Sequence, residues 1–229
     1  MSKENQETLE VYEKYADEYL KGSQLRLQHE PERLAKKRQK MLDWIAKGIA
    51  GLPKDATYFE FGSGDGEDVE LFRELGVEIT PSDAPESFLA VLRKKGLQPV
   101  KFNVITDEFP DSYDCIYSRR VLVHFTYEDA ETTFRKVFAS LKPGGRYIFN
   151  ALNSAGHNNL SEEWVDFSGD YAMGVSRYFK YWREDELMVL LKSVGFHIRD
   201  VFPDGGEGNK RWFYVTAEKL EENKNEDIA

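Results

Sequence analysis

Three glycines, Gly62, Gly64 and Gly66, stand at alternate positions in YFEFGSGDGEDVELF, after a β-prone run and before a helical one. Glycine lets a backbone turn sharply and approach a ligand with no Cβ in the way. A helix that starts behind such a loop offers unpaired N–H groups and a positive end. The pattern can cradle a nucleotide-like ligand, although a plain tight turn uses glycine for the same geometric reason. The dinucleotide fingerprint G-x-G-x-x-G puts its third glycine where this chain has Glu67, and a carboxylate there would face a pyrophosphate. Nicotinamide chemistry is disfavoured on that ground. Glu60, two residues before Gly62, adds a second acid beside the loop.

Two acids at a glycine loop suit a ligand with cationic groups, such as a sulfonium bearing an α-ammonium. Asp83 ends the next strand-like segment, where a carboxylate can accept both hydroxyls of a ribose; it could equally cap the helix of residues 85–95. Asn103 and Val104 follow a third strand. There an amide could read an adenine edge while the valine packs on the ring, or the asparagine could simply end the strand. His124, in VLVHF, is the first candidate for a general base, against a structural role at a strand-to-helix turn. His157, in SAGHNN, is the second, against an ordinary loop histidine. Cys115 falls in mid-strand and reads as core.

The elements that must position these groups follow from periodicity. Tyr12, Tyr15, Ala16 and Tyr19 share one helical face, and Leu34, Met41, Leu42, Ile45 and Ile49 mark a second helix whose apolar stripe also contains Arg38. Arg38 there either snorkels outward or meets an anion. Strand-like runs at 57–61, 77–80, 98–102, 114–118 and 146–152 alternate with helical patterns at 66–75 and 85–95 and one opened by Thr126 and Asp129. Such alternation implies βαβ crossovers and a mainly parallel sheet. Residues 152–182 read as an irregular aromatic insert carrying Trp164, Tyr171, Arg177, Tyr178, Phe179, Tyr181 and Trp182. A helix and a two-stranded hairpin close the pattern. The expected division is a helical lid over 1–50, one α/β domain over 51–219 with the insert on its substrate side, and a charged tail over 220–229.

The chain has 229 residues with 31 Lys and Arg against 41 Asp and Glu, a formal charge of −10 that speaks against nucleic acid as partner. The basic run Lys36, Lys37, Arg38, Lys40 reads as a solvated helix face. One cysteine and four histidines leave little material for a disulfide or a structural metal. No stretch approaches the ~20 apolar residues of a membrane span, and the expected compartment is the cytoplasm.

Taken together, EFGSGDG, the strand-two Asp83 and the run YDCIYSRRVLVHFTYEDAETTFRKVFASLKPGGRYIF closely resemble the class I S-adenosylmethionine-dependent methyltransferases, of the small bacterial kind. The likeness is strong over residues 57–152 and weaker through RYFKYWREDELMVLLKSVGF. It implies a Rossmann-like, doubly wound seven-stranded sheet of order 3-2-1-4-5-7-6 with strand 7 antiparallel, and S-adenosylmethionine lying over the C-terminal strand ends. Carried over by residue, Gly62, Ser63, Gly64 and Gly66 would form the loop at the methionine part, with Glu60 near its ammonium. Asp83 would hold the ribose, Asn103 and Val104 would border adenine, and Ser118 and Arg119 would face the methionine end. Two departures stand out. Asn103 replaces the acid common at the adenine position, and the pair Arg119-Arg120 is unusual beside a sulfonium, so that one of them should point outward or bind a carboxylate.

In-line methyl transfer asks chiefly for alignment and a dry cavity, worth up to roughly 7–11 kcal/mol of the barrier, and for a base only where the acceptor loses a proton. The acceptor, expected to be a small molecule methylated on oxygen or nitrogen, would meet Tyr15, Tyr19, Arg38, His157, Trp164, Arg177, Tyr178 and Tyr181. Aromatic walls suit a cationic or apolar acceptor, and the two arginines suit a carboxylate. An RNA or protein acceptor, or a binding module without turnover, are the alternatives.

Overall fold

The computed structural model describes residues 1–29, 31–166, 175–203 and 212–221, with backbone alone for 22–29 and 202–203. Tyr171, the closing hairpin turn and the tail beyond Glu221 lie outside the described residues.

Two helices lead, α1 (Lys3–His29) and α2 (Pro31–Ile49), followed by β1 (Tyr58–Phe61), α3 (Glu67–Glu74), β2 (Thr80–Asp83), α4 (Glu86–Lys94), β3 (Val100–Lys101) and β4 (Tyr113–Ser118). A 3-10 turn, η1 (Leu122–His124), leads to α5 (Tyr127–Ser140) and β5 (Leu141–Asn153). A second 3-10 turn at Ser154–Gly156 precedes β6 (Glu162–Asp166), β7 (Ser176–Trp182), α6 (Glu184–Val194), β8 (His197–Pro203) and β9 (Trp212–Glu218).

The main sheet runs β3-β2-β1-β4-β5-β9-β8. Pairings from β3 through β5 are parallel, while β9 is antiparallel to both β5 and β8. With β8 and β9 as the sixth and seventh strands of the domain, this is the expected 3-2-1-4-5-7-6 order. Alternation along the central strands builds a core on each face. Ile116, Tyr147, Phe149 and Val215 pack with Phe134, Val137, Leu187 and Leu191 of α5 and α6. Cys115, Tyr117, Ile148 and Tyr214 pack with Met41, Trp44, Ile45, Leu71 and Phe72 of α2 and α3. Opposite faces on successive residues are what the pleat requires.

Several boundaries differ from the sequence expectation, β5 among them, which starts at Leu141 rather than at 146. Strand two forms at Thr80–Asp83 rather than at 77–80, because the more polar segment is the one that hydrogen bonds under the glycine loop. There the Ser82 hydroxyl donates to the Glu60 carbonyl at 2.7 Å and the Ser82 N–H donates to Ser63 Oγ at 3.0 Å. Strand three shortens to two residues. The insert is regular at its edges: β6 and β7 pair antiparallel from Glu162↔Lys180 to Asp166↔Ser176. β7 also joins β5 in parallel at Leu152↔Tyr181 and Asn153↔Trp182. It occupies the β5 edge that β4 leaves after Ser118↔Phe149, and so brings Arg177 and Tyr178 to the C-terminal end of the parallel sheet.

Helix α1 lies across that end. It breaks at Tyr15, whose φ of −122° and ψ of 27° are not helical. The break divides the tyrosine face expected to be continuous.

Candidate active site

The loop after β1 is built by Gly62 at φ +74° and Gly64 at φ +54°, in the left-handed region that side chains disfavour. A Cβ on Gly62 would sit 2.2 Å from Val121 Cγ2, whereas one on Gly64 would meet nothing within 4 Å. Gly62 is thus glycine for packing and Gly64 fronts open space. Gly66 caps α3 and packs near Leu92 and Leu97.

Two carboxylates flank this space. Glu60 is fully buried; Oε2 accepts from the Ser63 hydroxyl at 2.8 Å, and Oε1 has no partner. Burial, then the neighbouring charge of Asp68, push its pKa well above the ordinary value. Asp83 accepts from the Gly64 N–H at 2.7 Å and from the Ala84 N–H at 2.8 Å. Burial outweighs these bonds and raises its pKa to about 6. It does not cap α4, whose N-cap is Pro85.

Arg119 resolves the double arginine. It is 7% exposed, and its Nε donates to both Asp68 oxygens at 2.8 Å while Nη2 donates to Glu67 at 2.6 Å. Burial alone would raise the Glu67 pKa, but the Arg119 charge and hydrogen bond outweigh it and bring the carboxyl down to about 2. The acid at the third-glycine position is therefore neutralised from β4.

At the other side of the cleft His124 is buried between η1, α1 and β7. Its Nδ1 lies 2.8 Å from the Tyr178 carbonyl, which can only accept, so Nδ1 carries the hydrogen and Nε2 is the acceptor. Tyr12 Oη is 2.9 Å from Nε2 and donates to it, while itself accepting from Arg177 Nη1 at 2.7 Å. Burial, with Arg177 adding to it, lowers the His124 pKa to about 3 and keeps the ring neutral. Burial raises the Tyr12 phenol, against the opposing pull of Arg177. Asn5 Nδ2 donates to the His124 carbonyl at 3.3 Å, and Thr8 Oγ1 accepts from the Tyr178 N–H at 3.1 Å. These bonds hold α1 over the cleft.

Of the residues singled out in sequence, Gly62, Ser63, Gly64, Asp83, Arg119, His124 and Tyr19 line this one cleft, with Glu60 behind Ser63 and Arg177 reaching it through Tyr12. Others lie elsewhere. Val104 is buried in the core, and Ser118 is buried with its hydroxyl 2.8 Å from that of Tyr147. Asn103 makes an Asx turn to the Ile105 N–H and borders a neighbouring depression that shares Leu9 and Pro85 with the cleft. Arg38 is turned away, paired at 2.6 Å with Glu74 of α3, because the α2 stripe it shares ends at the helix–helix seam. The break in α1 sends Tyr15 to an outer groove with Trp164, which is 45% exposed. His157 packs on the Tyr181 ring at 4.4 Å, Tyr178 gives its hydroxyl to Glu162 at 2.7 Å, and Tyr181 gives its own to Glu163. None of Tyr15, His157, Trp164, Tyr178 and Tyr181 lines the glycine-loop cleft.

Tyr12, Asn5 and Thr8 are among the lining residues that carried no site assignment from the sequence. Tyr12 stood on the marked tyrosine face, seven residues from Tyr19, but its partner is 112 residues away. Asn5 carried no signal.

A parallel sheet with a glycine loop, a strand-two carboxylate and a covered cleft at the C-terminal strand ends defines a Rossmann-like protein that binds a nucleoside ligand. Comparison with known proteins makes the class specific. Residues 26–201 match the family described as a methyltransferase domain, and the chain belongs to that family; the cofactor that its sequence resemblance implies is S-adenosylmethionine. The phosphoethanolamine N-methyltransferase of Plasmodium falciparum (isolate 3D7) is 29% identical over 66 residues, which are 28% of this chain and 25% of that protein. The chain thus matches about a quarter of the length of that relative.

Among solved structures, the glycopeptide N-methyltransferase MtfA complexed with S-adenosyl-L-homocysteine has a TM-score of 0.63 at 16% identity, covering 78% of this chain and 89% of its own. The 1,6-didemethyltoxoflavin-N1-methyltransferase of Burkholderia thailandensis has a TM-score of 0.60 at 20% identity, covering 88% of each. At these identities the two share the fold. No helix among the described residues is long and apolar enough to cross a membrane.

The residues present fit the cofactor. The unpartnered Glu60 Oε1 is a buried acceptor beside the loop, Gly64 leaves open space, and Asp83 offers a carboxylate at the end of strand two.

Proposed function

We propose that this methyltransferase acts on a small molecule, through an oxygen or nitrogen nucleophile, in the cleft between the glycine loop and the Tyr12–His124 pair. The observation that carries the reading is the closure by α1: Asn5, Thr8 and Tyr12 are each hydrogen bonded to η1 or β7, so the cleft is roofed and confined. A nucleic-acid acceptor would need an open groove with a basic footprint, whereas this chain carries a charge of −10.

Glu60, Ser63 and Gly64 hold the methionine end of S-adenosylmethionine in this reading, and Asp83 the ribose. When bound, the cofactor supplies an electrophilic methyl group. An ammonium beside Glu60 Oε1 would favour the ionised carboxylate and offset the burial that raises its pKa. Asp83, already holding the Gly64 N–H, ties the ribose site to the loop, so that both ends of the ligand are fixed by one turn.

His124 serves the acceptor side. Its Nε2 lone pair takes the Tyr12 proton, and a proton leaving the nucleophile can pass to Tyr12 Oη as Tyr12 gives its own to His124. A ring with a pKa of about 3 holds that proton only in passing. Arg177 fixes the Tyr12 hydroxyl so that its hydrogen points at Nε2. Alignment and exclusion of water carry most of the rate, with the Tyr12–His124 pair adding proton transfer where the acceptor needs it.

The test is release of S-adenosylhomocysteine by the full chain across a metabolite panel, run beside bulk tRNA and a mixed protein substrate. Turnover among the metabolites supports the reading. Turnover confined to tRNA or protein, or cofactor binding with no turnover in any arm, overturns it.

A further inference from the structure

The turn between β4 and η1 holds a charge that none of the roles above uses. Arg120 has φ +62°, a left-handed conformation costly for a residue with a Cβ and characteristic of functional positions. Its N–H donates to Asn150 Oδ1 at 2.6 Å, and Asn150 is 2% exposed. A buried carboxamide of β5 thus holds the Arg120 backbone in this conformation. The residue lines the cleft together with Gly64, Tyr12 and His124. Among the described residues no hydrogen bond or ion pair engages its guanidinium, whose charge acts only at longer range on Glu67, whereas Arg119 is bound by Asp68 and Glu67, and Asp83 by two N–H groups.

Asn5 carries a second unmet group in the same cleft. It is 2% exposed, its Nδ2 is fixed on the His124 carbonyl, and its Oδ1 has no partner. Buried acceptors are nearly always paired, so this one calls for a donor from a ligand.

From these two groups we infer that the methyl acceptor carries an anionic oxygen group, a carboxylate or a phosphate, held by Arg120, and a hydroxyl or amine that donates to Asn5. The inference rests on the small-molecule reading above. A guanidinium fork matches either anion. The acceptor rather than the cofactor is its partner because Arg120 opens the turn that carries His124, on the side of the cleft where the proton must leave. Ser63 and, behind it, Glu60, which serve the methionine end, belong to the glycine-loop side.

The experiment measures S-adenosylhomocysteine release with three matched sets: small hydroxy- and amino-carboxylates, phosphate monoesters, and the neutral amides and alcohols corresponding to both. Turnover is expected in one of the two anionic sets, and which one identifies the group. Arg120→Gln should raise the KM of that acceptor by about 30-fold, the loss of a charge-assisted pair, with Arg120→Lys between. Its S-adenosylhomocysteine affinity by calorimetry should stay within about twofold.

Arg120→Gly suits φ +62° and should keep or raise Tm while losing the anionic acceptor, which separates recognition from folding. Turnover confined to the neutral set, none in either anionic set, or an unchanged KM in Arg120→Gln overturns the inference. So does an Arg120→Gln variant that weakens S-adenosylhomocysteine as much as the acceptor. A wild-type chain that binds no S-adenosylhomocysteine would instead overturn the cofactor site, and this inference with it.

Discussion

Val121 Cγ2 lies 2.2 Å from the point where a Cβ on Gly62 would stand, so the first glycine of the loop is held against the turn after β4. Gly62→Ala combines a steric clash with a positive φ and should cost about 2–4 kcal/mol of stability, read as a lowered Tm. Gly62→Ala with Val121→Ala should recover the steric share and keep the backbone share. Gly64→Ala, with open space around it, should cost only about 1 kcal/mol in folding yet weaken S-adenosylhomocysteine more than Gly62→Ala with Val121→Ala does. Equal effects of Gly62→Ala and Gly64→Ala on both readouts would contradict this division of roles.

The Tyr12–His124 pair gives a prediction on rate and one on pH. Tyr12→Phe leaves Nε2 and one Arg177 donor without that partner, at about 1–3 kcal/mol. For an acceptor that must lose a proton, kcat should fall about 100-fold with cofactor affinity kept. The folded His124 pKa of about 3 lies below its ordinary 6.5, so between those values the unfolded chain binds more protons. The stability from the neutral ring is complete above pH 6.5 and is lost as pH falls towards 3. The stability difference between wild type and His124→Asn should therefore rise with pH over that window and level off above it, measured by denaturant unfolding. A difference independent of pH would refute the buried neutral ring.

Arg119 should behave as the counter-charge of α3. Removing it strands Asp68 in the interior, so Arg119→Met should cost about 3–5 kcal/mol, and Arg119→Met with Asp68→Leu should be more stable than Arg119→Met alone. Glu67, which Arg119 holds near 2, should return towards its ordinary 4.5 in the single variant. The Glu67 contribution, present above 4.5 and lost as pH falls to about 2, would disappear with it. Carboxyl titration by NMR checks the shift; an unmoved Glu67 would place its depression elsewhere.

What could be read in the sequence was local. The glycine loop and the alternation of strands with helices follow from periodicity and turn chemistry within a few residues, whereas the strand order came from the family resemblance. Strand two was misplaced because 77–80 is the more β-prone run, while the segment that pairs is fixed by Ser82 beneath Glu60 and Ser63, a contact spanning about twenty residues. The hairpin of β6 and β7 was hidden by charged positions such as Glu162 and Glu163, whose partners are tyrosines of the opposite strand. The acceptor side was hardest to read. Arg38 and Tyr15 share helical stripes with residues that do face inward, and only the α2–α3 seam and the break in α1 turn them away. Tyr12 gains its role from Arg177 and His124, neither of which is near it in sequence.

Asp83 offers the most direct test of the cofactor site. Its carboxylate already carries the Gly64 and Ala84 N–H groups, and a ribose diol would add donors to the remaining lone pairs. Asp83→Ala should weaken S-adenosylhomocysteine by about 1–3 kcal/mol through lost charge-assisted bonds, and Asp83→Asn, which keeps an acceptor, by less. The sign of the pH effect follows from burial, which raises the folded pKa to about 6 from an ordinary 3.8. Between those values the folded chain holds more protons than the unfolded one, so ionising Asp83 lowers stability as pH rises from 3.8 to 6. Binding moves the opposite way, because diol donors favour the carboxylate: cofactor affinity should fall as pH drops through about 6. Calorimetry across that range should show this slope in wild type and lose it in Asp83→Asn. A slope that survives in Asp83→Asn would assign the titration to another group and remove Asp83 from the ribose site.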